Sequence, residues 1–143
     1  MILVWASCDG PTEPVPSNPE NIPVPRKVAE EDYIELTGGL KYHDFKVGTG
    51  DTAVHGDIVS VHYHGWLTDS TLFDSSYLRE EPYYFRLGNG SVITGWDLGL
   101  PGMQIGGERQ LVIPPELAYG SRARGPIPAN STLIFEVILM SVD

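Results

Sequence analysis

Residues 111–120 read LVIPPELAYG, from Leu111 to Gly120. The opening Leu-Val-Ile has strand character, and Pro114-Pro115 ends it by removing backbone donors from any ladder. A short turn then holds Tyr119 against Gly120. Upstream, Val92, Ile93, Trp96 and Leu100 fall at the i, i+1, i+4, i+8 positions of one helical face. Together these stretches predict an apolar pocket floored by an aromatic ring, with one hydroxyl at its rim. Such a site suits an apolar, uncharged ligand.

Outward from that pair, the chain reads as short strands and turns. Tyr33–Leu36 and Leu40–Val47 flank Gly38-Gly39, and Gly48-Thr49-Gly50-Asp51 forms the next turn. Asp57–Leu67 alternates, with Val59, Val61, Tyr63 and Leu67 on one face and Ser60, His62 and His64 on the other. Tyr83–Leu87 is a strand closed by Gly88-Asn89-Gly90. Ser91 is the expected N-cap of a helix over Val92–Leu100, which Pro101-Gly102 stops. Arg109–Ile113 and Thr132–Met140 complete the strands, the last with Leu133, Phe135, Val137 and Leu139 inward. Many antiparallel strands and one short helix predict an α+β fold in which a curved sheet wraps the helix.

The residues expected to point inward near that helix are Tyr63, Phe73, Tyr83, Phe85, Val92, Ile93, Trp96, Tyr119, Ile127 and Phe135. Any one of these aromatic rings reads most simply as core. Asp74, within Leu72-Phe73-Asp74-Ser75-Ser76, is either solvated at a strand end or held in a pocket wall. His62 and His64 sit at i, i+2 with His43 and His55 near in sequence, yet no Cys or acidic pair completes a metal site, so solvent-facing strand histidines are expected. Gly88-Asn89-Gly90 lacks the Lys and the parallel-strand context of a phosphate loop and reads as a turn.

Bulk properties narrow the function. The 143 residues suffice for one domain with a tail, and 41% hydrophobic with 20% charged residues is ordinary for a globular chain. A formal charge of −10, with only 9 scattered Lys and Arg, argues against nucleic acid. The single Cys8 excludes an internal disulfide.

Residues 1–6, MILVWA, are apolar, and Ser7-Cys8-Asp9 follows. Small residues before a cysteine resemble a bacterial lipoprotein cleavage site, although Trp5, the missing basic segment and the short apolar run depart from one. Cys8 is therefore either a lipid anchor or part of a meaningless leader, and any membrane affinity comes from acyl chains. Prolines at 11, 14, 16, 19, 23 and 25 predict an extended tether. At about 3.1 Å per residue it reaches roughly 65 Å from Cys8. Residues 1–28 are thus expected to be leader and tether, and 29–143 the folded domain.

Four segments in order, VHYHG at 61–65, LFDSS at 72–76, VITGWDLGL at 92–100 and IPPELAYG at 113–120, resemble the FKBP-type peptidyl-prolyl cis–trans isomerases, the macrolide-binding immunophilins. ANSTLIFEVIL at 129–139 resembles that family's closing strand, so the likeness spans roughly Leu40 to Asp143. It implies a half-barrel sheet around a short helix and rotation of Xaa-Pro bonds without cofactor or metal. By matching motif, it implies Tyr63, Phe73 and Asp74 as one wall, Trp96 as floor, and Phe85 and Phe135 on the far side. Tyr119 would bind a substrate carbonyl, the Ile93 amide would be a second donor, and Val92 and Ile127 would complete the rim. Tyr83 stands where Phe is frequent, and the basic, shortened Ser121–Pro128 segment leaves substrate preference open. The implied partners are Xaa-Pro-containing folding proteins and macrolides, bound by a monomer; the Cys8 leader, separately, points to a bacterial cell envelope, with the cytoplasm as the alternative. A binding module or holdase without turnover is the rival reading.

Overall fold

Alternation along Ile58–Leu67 builds the sheet, because one face of this strand must be buried and the other must find a different cover. The computed structural model of the protein describes residues 22–143. Its strands are β1 (Ile34–Glu35), β2 (Lys41–Lys46), β3 (Ile58–Leu67), β4 (Leu72–Ser75), β5 (Tyr83–Arg86), β6 (Glu108–Ile113) and β7 (Leu133–Val142). They form one antiparallel sheet in the order β1-β2-β6-β7-β3-β4, with β5 also paired to β3. One edge of β3 carries β7 along its length, and the other carries β5 at Ile58–Val61 and β4 at His64–Trp66. This curved sheet wraps α1 (Thr94–Gly99), the one α-helix among the described residues.

The concave face is the core. Val59, Val61 and Tyr63 from β3, Leu111 and Ile113 from β6, and Leu133, Phe135, Val137 and Leu139 from β7 are all buried. Helix and sheet meet closely: a Cβ on Gly95 would lie 2.5 Å from Ile113 Cγ2, so only glycine lets α1 seat on β6. Arg109 of β6 then clamps the helix end. Its guanidinium is buried, donates to Gly99 O at 2.8 Å, and pairs with Asp44 of β2 at 2.6 and 3.1 Å.

Helix α1 is shorter than the expected 92–100, and Ser91 does not cap it. Asn89 Oδ1 captures the Ser91 amide and hydroxyl, leaving Ile93 in extended geometry as the cap residue. The turn at 88–90 is held by Asp97, whose two carboxylate oxygens accept from Gly88 N at 2.8 Å and Gly90 N at 2.9 Å. Leu72–Ser75 is a strand that the sequence reading treated only as a strand end.

The convex face differs most from expectation. Ser60 is 2% exposed and His62 and His64 are half-buried, so this is not a solvent face. Trp66, on the same face, is fully buried and donates Nε1–H to Pro23 O at 2.8 Å. Arg26 donates its amide and Nε to the Glu136 carboxylate, reaches Glu108 at 3.2 Å and lies over the Phe45 ring. Gln110 Nε2 donates to Arg26 O. Pro23–Arg26, placed by composition in the tether, are therefore docked on the sheet. The leader, Cys8 and prolines 11–19 lie outside the described residues.

His64 packs between Trp66 and Tyr77, with its Nδ1 buried and without a hydrogen-bond partner among the described residues. Burial, with the neighbouring His62 and Arg26 charges, pushes its pKa down to about 4. The unfolded chain protonates near 6.5, so it alone takes up this proton between roughly pH 6.5 and 4. Stability from this residue is complete above pH 6.5 and declines by up to about 3 kcal/mol as pH falls to 4. Urea titrations at pH 7 and 4.5 should therefore show a steeper acid loss for wild type than for His64→Phe. Equal losses would contradict the assignment.

Candidate active site

Tyr63 is the residue around which the site is assembled, and two neighbouring serines and an aspartate explain its position. The β3–β4 register sets Gly65 opposite Asp74 and His64 opposite Ser75. The chain then turns at Ser76–Leu78, with Ser75 Oγ accepting from Tyr77 N. That turn brings Ser76 Oγ under β3, where it accepts the Tyr63 amide at 2.8 Å and pairs with His62 Nδ1 at 2.8 Å. At the other end of the side chain, Tyr63 OH donates to Asp74 Oδ2 at 2.6 Å. Tyr63 is thus fixed at backbone and hydroxyl alike.

Arg79 closes this network. Its Nη1 donates to Asp74 Oδ1 and its Nη2 to Tyr63 OH, both at 2.8 Å. Burial pushes the Tyr63 phenol up to about 12, helped by its bond to Asp74. Burial works against ionised Asp74, but the bonds from Tyr63 and Arg79 outweigh it and hold the carboxyl below its ordinary range. These bonds also raise the Arg79 pKa. Asp74 is therefore a compensated carboxylate, bonded to Tyr63 and Arg79 while its side chain stays 39% exposed.

Around Tyr63 the rings meet edge to face, the geometry their quadrupoles favour. Trp96 is 4% exposed and faces inward, with its centroid 5.0 Å from Tyr63 at 84°, 5.3 Å from Phe135 at 80° and 5.5 Å from Phe85. Phe73 meets Phe135 at 5.5 Å and 90°. Tyr83 stacks on Phe85 at 5.6 Å and stays 38% exposed at the edge. Ile127 is buried in the same core, while Val92, Ile93, Phe73 and Tyr119 pack against it half-buried. All ten inward residues read from the sequence therefore belong to, or border, one cluster.

The rings of Tyr63, Phe85, Trp96 and Phe135 touch one another and are buried, with half-buried Phe73 and Tyr119 and exposed Tyr83 at the border of the cluster. A groove of about 350 Å³ beside Leu67, Asp69, Pro128 and Thr132 is lined by none of them. Trp96 Nε1 is buried and has no hydrogen-bond partner among the described residues. Among the described residues, no three His, Cys, Asp or Glu side chains converge on a possible metal position.

Sequence reading missed three residues that shape the site. Arg79 carried a faint signal, a cation a short turn beyond Asp74. Ser76 was quoted within LFDSS without a role. Gly65 matters by having no side chain: a Cβ there would lie 2.8 Å from both Phe135 Cε1 and Phe73 Cζ. Gly65→Ala should displace those rings while leaving β3 paired, visible as shifted aromatic NMR signals with an unchanged amide exchange pattern along the strand. Unmoved ring signals would refute that reading.

Comparisons with known proteins point the same way. A family model described as FKBP-type peptidyl-prolyl cis-trans isomerase matches residues 50–140. An FK506-binding protein of Neisseria meningitidis serogroup B is 51% identical over 106 residues, covering 73% of this chain and 97% of that protein. FK506-binding protein 4 of Chaetomium thermophilum is 50% identical over 109 residues, 76% of this chain, and this chain spans only 22% of that relative's length. The crystal structure of FkpA from Escherichia coli superposes with a TM-score of 0.74 at 45% identity, over 80% of this chain and 53% of that one. The relatives include bacterial and fungal proteins. With the wrapped helix, the inward Trp96 and the Tyr63–Asp74 hydrogen bond, these matches show that the chain belongs to the family of FKBP-type peptidyl-prolyl cis-trans isomerases.

Proposed function

We propose that the chain accelerates cis–trans rotation about Xaa-Pro bonds in protein substrates on this ring-lined face. The supporting observation is the inward Trp96, enclosed by Tyr63, Phe85 and Phe135 and bordered by half-buried Phe73, Val92, Ile93 and Tyr119. Rotation faces a barrier of about 18–20 kcal/mol because planarity preserves amide resonance. The planar amide is the more dipolar state and water solvates it well; the twisted amide loses less on entering an apolar site. Such a face therefore favours the twisted state and needs no nucleophile. About 5 kcal/mol of this preference gives between three and four powers of ten in rate.

The polar groups have positioning tasks. The Tyr119 hydroxyl has no hydrogen-bond partner among the described residues, and the Ile93 amide donates to no backbone carbonyl there. Both remain free to hold substrate carbonyls. Asp74, fixed by Tyr63 and Arg79, keeps a negative charge at the wall. Macrolides of the FK506 class would compete for the same face, in keeping with the relatives' names. Acylation of Cys8 would attach the domain to a bacterial envelope, and the mass of the mature N-terminus would reveal it.

In a peptide exchange assay, Tyr119→Phe should lower kcat/KM by about three- to tenfold, the equivalent of one hydrogen bond. Asp74→Leu should lose about tenfold or more, because it also frees Arg79 and the Tyr63 hydroxyl. Variants as active as wild type would remove these residues from the site. Since neither Tyr63 nor Asp74 titrates near neutrality, the rate should be flat from roughly pH 6 to 9, unlike a general acid–base profile. A bell-shaped profile would contradict catalysis by environment alone.

A further inference from the structure

The mechanism makes no use of the arginines in the loop that follows Tyr119. Residues 121–126 are exposed and include Arg122 and Arg124. Arg26, Lys41, Arg79 and Arg109 each pair with a carboxylate, whereas Arg122 and Arg124 have no carboxylate partner among the described residues. Their position is set by the backbone. Arg124 N donates to Ile127 O at 2.8 Å and Ile127 N to Arg124 O at 2.9 Å, closing a tight turn over Gly125-Pro126. Ile127 is buried in the core that holds Trp96, so this turn is anchored at the site. The Arg124 guanidinium lies 5.1 Å from the Tyr119 ring centroid, and Arg122 N donates to Tyr119 O at 3.2 Å.

Two unpaired cations therefore stand at the Tyr119 rim of a chain whose formal charge is −10. A guanidinium facing an aromatic ring keeps N–H donors along its edge, spaced to grip a carboxylate by two bonds. The Asp74 charge is already compensated by Arg79. We propose that Arg124, with Arg122, selects substrates carrying a Glu or Asp close to the proline. This rests on the isomerase reading of the same site. Charges at a rim act chiefly on association and are screened by salt.

The test uses the full chain and Xaa-Pro peptides in which Glu, Gln or Lys is stepped through the positions flanking the proline. At one position and low salt, kcat/KM for the Glu peptide should exceed that of the Lys peptide by about fivefold, falling toward unity in roughly 0.5 M salt. Arg122→Glu/Arg124→Glu should reverse the order. Calorimetric affinities for the same peptides are measured alongside. Acceleration or binding with no Glu-over-Lys preference at any position overturns the proposal and leaves the isomerase reading intact. A protein that accelerates no peptide overturns the isomerase reading, and the affinity ratio alone then decides the charge preference. A preference that survives in the double variant assigns selection to other residues and also overturns it.

Discussion

Trp96→Ala is expected to destabilise the domain by about 3–5 kcal/mol and to reduce Xaa-Pro acceleration by at least about tenfold. The indole touches Tyr63, Phe85 and Phe135 at centroid distances of 5.0, 5.5 and 5.3 Å. Its removal leaves a void that these rings cannot easily fill. Tyr63 is held by Ser76 and Asp74, and Phe135 is fixed by ladders to β6 and β3. Poor relaxation puts the cost toward the upper part of the range. With total stabilities of about 5–15 kcal/mol, such a loss lowers the melting temperature severely. Trp96→Phe should be milder, since it refills part of the volume and removes a buried Nε1–H that has no partner among the described residues. Urea denaturation gives the stability difference, and exchange assays on the cold, folded variants give the rate. A stable, fully active Trp96→Ala protein would show that the indole is not the floor.

Asp44→Ala should cost about 3 kcal/mol, more than Arg109→Leu. Arg109 is buried and bonds both Asp44 oxygens and the Gly99 carbonyl, so it ties β2 and β6 to the end of α1. Removing only the carboxylate leaves a buried cation without compensation, whereas leucine removes the charge altogether. Because Asp44 keeps partial access to water, the cost sits at the low end of that for a buried pair. Arg109 holds the Gly99 end of the short helix that carries Trp96, so Asp44→Ala should also shift the Trp96 indole resonance. Double-mutant denaturation curves measure the coupling, and additive losses from the two substitutions would contradict the clamp.

Much of the concave side was legible because strand period and side-chain chemistry agree there. Val59, Val61 and Tyr63 alternate inward, as do Leu133, Phe135, Val137 and Leu139, and the structure buries each of them. The convex side was not legible. Proline spacing correctly signals extended backbone, but such backbone leaves its carbonyls free, and nothing local says which donors will find them. Trp66 Nε1 and Gln110 Nε2 take those of Pro23 and Arg26, which docks a segment expected as tether on the convex face. The helix start failed for a similar reason. Ser91 is a good capping residue, but Asn89 lies two positions away and competes for its amide and hydroxyl. Arg79 gave only a faint signal because its role depends on a turn that folds it back over Asp74 and Tyr63.

The most direct measurement is exchange NMR on an Ala-Leu-Pro-Phe peptide with substoichiometric protein, comparing wild type with Phe135→Ala under conditions where both are folded. Wild type should raise the interconversion rate by at least about a hundredfold without changing the cis:trans ratio, and Phe135→Ala should lose at least about tenfold of that gain. A wild-type protein that binds the peptide yet leaves its rotation no faster than buffer would contradict catalysis by the ring-lined face and identify a binding module instead.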